Sequence, residues 1–163
     1  MSKVSNEYWI WRGDIQGFFM SINLDIMWKL LEPIIEKAVK TDVDWWKWLI
    51  HKVVFNRPEK NCTKQGNLKL WDKLSNNKSL FKSNGKGMPI GKLLSQIFAN
   101  VYLDYFDKWI LSQLLENEYY DRSADDFIVI MRDKQRLLKL RTLAKEWIKE
   151  NLDLTMHPRK SEI

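Results

Sequence analysis

Asp125 and Asp126 stand side by side between Ala124 and the apolar run Phe127-Ile128-Val129-Ile130. Paired aspartates are common turn chemistry, because their side chains bond nearby backbone. Here the flanking residues read as buried strand, which puts two anions at a rigid strand end. There they repel each other unless a cation lies between them. A hard divalent ion such as Mg²⁺ suits oxygen ligands of this kind. A second element must complete such a site, and Asp14 is the candidate. It closes a short alternating segment and is followed by small and aromatic residues rather than by a polar loop. Cys62, the single cysteine, cannot build a Cys/His zinc site with the two histidines, His51 and His157. A lone cysteine also excludes a disulfide framework and fits a reducing, cytoplasmic setting.

The elements that would hold these carboxylates can be read along the chain. Tyr8 to Arg12 alternates as a strand. Asn23 reads as a helix cap before the stripe Ile26, Met27, Leu30 and Leu31, with Pro33 kinking or restarting that helix. Thr41-Asp42 caps a second helix, with Val43, Trp46, Leu49, Ile50, Val53 and Val54 on its inner face. Residues 57–87 have weak periodicity and read as a long irregular insertion. A long helix from about Gly91 to Leu115 should bury Leu94, Ile97, Phe98, Val101, Tyr105 and Trp109. Tyr119 to Ala124 and Phe127 to Met131 form a hairpin around the two aspartates. Asp133 caps a last long helix, and Leu152 to Met156 alternates as a final short strand. Trp46, Trp109 and Trp147 lie on apolar helical faces and are expected in the core. The order predicts an α+β domain, a small antiparallel sheet with helices packed on one face.

The 163 residues are enough for one domain or a piece of a larger one, and 45% hydrophobic content supports a real core. The uncharged stretches are too short for a membrane span of roughly 20 residues. The net charge is +6. Residues 57–92 hold nine basic side chains, among them Arg57, Lys60, Lys64, Lys86 and Lys92, against Glu59 and Asp72. That stretch alone carries +7 and the remainder −1, so the basicity is a local footprint for a polyanion.

Four blocks in order resemble the reverse transcriptases. Asp14-Ile15-Gln16-Gly17-Phe18-Phe19 is similar to the family's motif A, and Ser123-Ala124-Asp125-Asp126-Phe127 to motif C. Between them, Gly87 through Asn100 (GMPIGKLLSQIFAN) resembles motif B, and Leu152 to Lys160 the motif D region. Ile90 before Gly91, and Ser95-Gln96 after it, are similar to the enzymes of bacterial and phage diversity-generating retroelements. The basic segment that begins Arg57-Pro58-Glu59-Lys60 resembles an insertion found in such enzymes.

The resemblance implies a polymerase palm over residues 1–163, ferredoxin- or RRM-like, with a basic insertion at about 57–92. It implies two-metal transfer of deoxynucleotides onto a primer 3′-hydroxyl, with two Mg²⁺, or Mn²⁺ in their place, about 3.5–4 Å apart. Asp14 and Asp125 would be shared metal ligands, Asp126 the adjoining acid, and the Ile15 carbonyl a further oxygen. Phe19 would hold the steric-gate position, and Ile90, Gly91 and Gln96 would contact the incoming base pair. Lys160 would donate a proton to pyrophosphate. Arg57, Lys60, Lys64, Lys86 and Lys92 would contact nucleic acid. The implied partners are template RNA, a DNA primer, deoxynucleoside triphosphates and a small basic accessory protein, with no membrane.

Two departures from the family pattern stand out. Ser123 occupies a place where an aromatic is common. Asp14 lies close to Met1, and the chain closes soon after motif D, so the expectation is a palm lacking fingers and thumb. On that expectation the alternative is a catalytically incompetent fragment that only binds nucleic acid or a partner. A nucleotide cyclase, which uses a similar palm, is disfavoured by the lack of a Gly-Gly-Asp/Glu-Glu-Phe-type turn.

Overall fold

The computed structural model describes residues 7–74 and 78–158. The chain is α+β, with three strands, β1 (Trp9–Asp14), β2 (Tyr119–Ser123) and β3 (Asp126–Met131), in one antiparallel sheet of order β1-β3-β2 and six α-helices among the described residues. It divides into two compact units. The first joins the residues up to Gln16 with those from Leu103 onward, and the second is Gly17–Tyr102.

The first unit contains β1 (Trp9–Asp14), β2 (Tyr119–Ser123), β3 (Asp126–Met131) and α6 (Lys134–Leu152). It also holds the C-terminal half of α5 (Leu93–Gln113). Side chains of a strand alternate between faces. Trp11, Phe127, Val129 and Met131 are at most 2% exposed and define the helix-covered face. Ile10, Arg12, Asp121, Ser123 and Asp126 are exposed on the other. Phe106 of α5 meets Phe127 edge-on at 5.3 Å, and Trp109 stacks on Trp147 of α6 at 5.1 Å. Asp133 caps α6 by accepting from the Gln135 and Arg136 amides.

The second unit holds α1 (Phe18–Ser21), α2 (Leu24–Ala38), α3 (Val43–Val54), the short α4 (Leu68–Trp71) and the start of α5. Asn23 caps α2 as its sequence position predicts, accepting from Asp25 and Ile26. The described residues of 57–87 are irregular and largely exposed or half-buried, with two single 3₁₀ turns and α4.

Several expectations need correction. Helix α2 runs unbroken through Pro33, so there is no restart. Proline removes one backbone donor, and at an exposed position water can serve the carbonyl left over. Asp42 does not cap α3 with its side chain, because its backbone is left-handed (φ 55°) rather than extended. The expected inner face of α3 is covered only in part: Val54 is buried, Val43, Leu49 and Ile50 are half-buried, and Trp46 and Val53 are 40% and 37% exposed. Helix α5 buries Ser95, Phe98, Ala99, Tyr102, Leu103, Phe106 and Ile110, whereas Leu94, Ile97 and Tyr105 are exposed. Helix α5 is apolar around most of its circumference, so spacing alone does not choose its buried face, whereas α3 has a defined apolar side that is only partly covered. The final strand is absent, since α6 continues to Leu152 and left-handed Asp153 stops it (φ 52°). Only an isolated bridge between Met156 and Ile15 remains. No described helix is long and apolar enough to cross a membrane.

Candidate active site

The sheet register pairs Asp14 directly with Asp126, and Asp126 in turn with Ser123. Direct antiparallel partners have Cα atoms about 4.5–5.5 Å apart and point to the same face. Asp14 and Asp126 therefore stand together at the hairpin end of the open face. Asp125 precedes Asp126 in the turn. Asp14 is 7% exposed, Asp125 half-buried and Asp126 exposed. An open groove of about 370 Å³ adjoins them, lined by Arg12, Gly13, Asp121, Ser123, Asp126, Phe127 and Ile128.

Beneath the carboxylates, on the helix-covered face, the next row of the register is Gly13, Phe127 and Arg122. Gly13 is required by the Phe127 ring. A Cβ at Gly13 would sit 2.2 Å from Phe127 Cζ, inside any permitted contact. The ring lies across the β1 backbone, edge-on to Trp11 at 5.0 Å. Both aspartates of the register pair are thus neighbours in sequence of one close-packed contact.

Arg122 reaches α5 and the turn at once. Its Nε and Nη2 donate to the two carboxylate oxygens of Asp107 at 2.8 and 2.6 Å. Its Nη1 donates to the Ala124 carbonyl at 2.8 Å. The Tyr120 hydroxyl donates to Asp107 Oδ1 at 2.6 Å. Burial, then the hydrogen bond to Asp107, pushes the Tyr120 phenol well above its ordinary range, so it stays a donor. The bond to Asp107 likewise raises Arg122. Ala124 is left-handed (φ 57°), a conformation that costs a non-glycine residue roughly 1–2 kcal/mol.

The segment after α6 closes on the end of β1. The Gln16 amide donates to Thr155 O at 2.9 Å and the His157 amide to Asp14 O at 2.7 Å. This ladder engages the carbonyls of Asp14 and Thr155, not that of Ile15. Lys160 lies outside the described residues.

The other expected site residues belong to the second unit. Gly87 donates to Ile22 O and Met88 to Phe19 O, both at 2.8 Å, so the motif B loop is stitched to α1 and its flank. Phe19 is half-buried and meets Phe18 edge-on. Gly87 must be glycine, with φ 88° and the Met20 backbone 2.9 Å from any Cβ. Ile90 is 70% exposed, and Gly91 and Gln96 are exposed as well. Among the basic residues, Lys60, Lys64 and Lys92 are exposed, and Lys86 is half-buried. Arg57 pairs with Glu59, and Lys64 lies 5.0 Å from the Phe81 ring centroid.

A family model described as reverse transcriptase (RNA-dependent DNA polymerase) matches residues 1–163. The chain belongs to the reverse transcriptase family. No curated protein matches it. Reverse transcriptases depend on divalent metal and bind template nucleic acid and nucleotides.

Among the described residues no three His, Cys, Asp or Glu side chains are grouped to hold a metal ion. A closed cage of protein ligands is thus not seen among the described residues. Mg²⁺ does not need one. It keeps several waters and is held by one or two carboxylates plus substrate phosphates in polymerase sites. The opposed Asp14 and Asp126, with Asp125 adjacent, fit that mode as hard oxygen donors. Gly13, Asp107, Tyr120 and Arg122 pack or bond behind this candidate site and were not expected from the sequence. A glycine inside an aromatic strand was a usable signal. The 15-residue separation of Arg122 from Asp107 offered none.

Proposed function

We propose that the chain forms the palm of an RNA-directed DNA polymerase that adds deoxynucleotides to a primer 3′-hydroxyl on an RNA template. The observation that carries this reading is the Asp14–Asp126 register pair at an acidic hairpin, in a chain matched throughout to the reverse transcriptase family. Asp14, Asp125 and Asp126 hold the divalent cations. When bound, these activate the attacking hydroxyl and stabilise the leaving pyrophosphate. The protein's own part is positional. Asp14 is held by the sheet and by the His157 amide, and Asp125 and Asp126 by the hairpin. The Ile15 carbonyl is a further oxygen donor at the same strand end.

In this reading Phe19 excludes the 2′-hydroxyl of a ribonucleotide, and Ile90, Gly91 and Gln96 face the incoming base pair. Lys160 protonates pyrophosphate. Arg57, Lys60, Lys64, Lys86 and Lys92 take template or primer phosphates. Ile90 before Gly91 and Ser95-Gln96 after it favour a diversity-generating retroelement of bacterial or phage origin, working with a small basic accessory protein. The exposure of Lys60, Lys64 and Lys92 also supports a second reading, a family member that binds nucleic acid without catalysing.

Primer extension separates the two. On a primed RNA template with Mg²⁺ and deoxynucleotides, a polymerase that contains this palm with fingers and thumb should incorporate nucleotide, and Asp14→Asn and Asp125→Asn should each abolish it without loss of fold. Phe19→Ala should then admit ribonucleotides. Salt-sensitive RNA binding with no incorporation would favour the second reading, and no RNA binding at all would remove both.

A further inference from the structure

The acidic turn is built from residues that do not hold it by themselves. Ala124 adopts a left-handed backbone, and it joins directly to Asp125. Two-residue hairpin turns that need such a backbone favour glycine, asparagine or aspartate at that place. Alanine there needs an outside constraint, and the guanidinium of Arg122 supplies one. It is 12% exposed and uses three nitrogens at once, two on Asp107 and one on the Ala124 carbonyl. A planar fork engaged on both sides has little freedom to rotate. Asp107 is fixed in turn by the Tyr120 hydroxyl, on the strand that leads into the turn. The chain of contacts runs from helix α5 through a carboxylate and a guanidinium to the peptide that carries Asp125.

We infer that Asp107, Tyr120 and Arg122 form a positioning network that sets where the Asp125 carboxylate stands relative to Asp14, and so tunes divalent-cation affinity. None of the three would touch the cation. The inference rests on the proposed metal site for its consequence, but the restraint on the turn is independent of it. Groups that orient metal ligands from behind commonly alter affinity by about 10–100-fold when changed.

Two measurements on the full chain test it. The first is Mn²⁺ affinity, from the loss of the free-ion EPR signal on titration. The second is the amide NMR shifts of Ala124, Asp125 and Asp126 without metal. Tyr120→Phe deletes a single oxygen, and Arg122→Lys keeps the charge but cannot form the fork. Both should move the turn amides and weaken Mn²⁺ binding, Arg122→Lys by about tenfold or more, with Arg122→Lys the larger effect. Asp107→Asn, which retains one acceptor, should fall between them. Unmoved turn amides in the folded variants would overturn the inference whatever the metal does. Shifted amides with unchanged Mn²⁺ affinity would overturn its functional half. Shifted amides in a chain whose wild type binds no Mn²⁺ would support the restraint and overturn the metal reading instead.

Discussion

The hairpin end of the sheet and the basic stretch 57–92 carry opposite charges and are organised by opposite means. At the hairpin end a ring crosses a glycine, an arginine is bound on three nitrogens, and the strand register pairs two aspartates. In the basic stretch the hydrogen bonds of the lysine-bearing turns are local, and long-range bonds enter at its end, from Gly87 to Ile22 and from Met88 to Phe19. Asn67 caps α4, Ser79 caps a single 3₁₀ turn, and Lys82 donates to the carbonyls of Asp72 and Leu74. Under the proposed function each arrangement suits the use of its charge. Carboxylates that share a cation must be held against their own repulsion, so they need a rigid frame. Lysines that meet a phosphate backbone need only reach it, since those contacts are electrostatic and tolerate mobility.

Substitutions should therefore register very differently in the two regions. Phe127→Ala removes a ring in contact with Trp11, Phe106 and the Gly13 backbone, and should cost about 3–5 kcal/mol in denaturant unfolding. A loss below about 1 kcal/mol would mean that the hairpin end is not close-packed. Gly13→Ala attacks the same contact from the other strand and should cost about 1–3 kcal/mol by overpacking. Its diagnostic feature is a rise in stability when Phe127→Leu is added, because the smaller side chain relieves the clash. Additive losses would contradict the contact.

A smaller effect is expected at the ion pair of Glu118 with Arg136, whose Nε donates to Glu118 Oε1 at 2.8 Å. The Arg136 guanidinium holds the Glu118 carboxyl below its ordinary value of 4.5. A lowered folded-state pKa adds stability above the unfolded value, and that stability is lost as pH falls through the folded one. Wild type should thus lose more stability than Arg136→Met on titration from neutrality to below pH 4.5. Parallel pH curves would show that the pair contributes nothing. The smallest stability change belongs to Lys60→Ala in the exposed basic stretch, within about 0.5 kcal/mol. Its signature is in binding. If Lys60 meets a phosphate, the slope of log affinity for single-stranded RNA against log salt should shrink by about 0.7. An unchanged slope would remove Lys60 from the interface.

Much of this frame is legible from residue type and spacing. Asn23 and Asp133 cap their helices because a short acceptor before an apolar periodic run has few other uses. The hairpin is legible because a polar pair interrupts two alternating segments, and its boundaries differ from expectation by one residue. Helices α3 and α5 are legible as helices but not in orientation. The buried face depends on what packs there, and Trp46, Leu94, Ile97 and Tyr105 are left exposed.

Residue order alone therefore determined the chemistry available to this protein: three aspartates, a local basic stretch, and the blocks that place it among reverse transcriptases. Those properties depend on side-chain type and local propensity, which one short segment already contains. Tertiary structure decided the register that sets Asp14 against Asp126 and the reach of Arg122 to Asp107. It also decided why Gly13 must lack a side chain. Each of these is a relation between segments far apart in the chain. A strand register slipped by one residue would keep every local preference and turn the paired side chains to the other face. The packing of Phe127 over Gly13 and the fork of Arg122 on Asp107 favour one register and one turn over the alternatives.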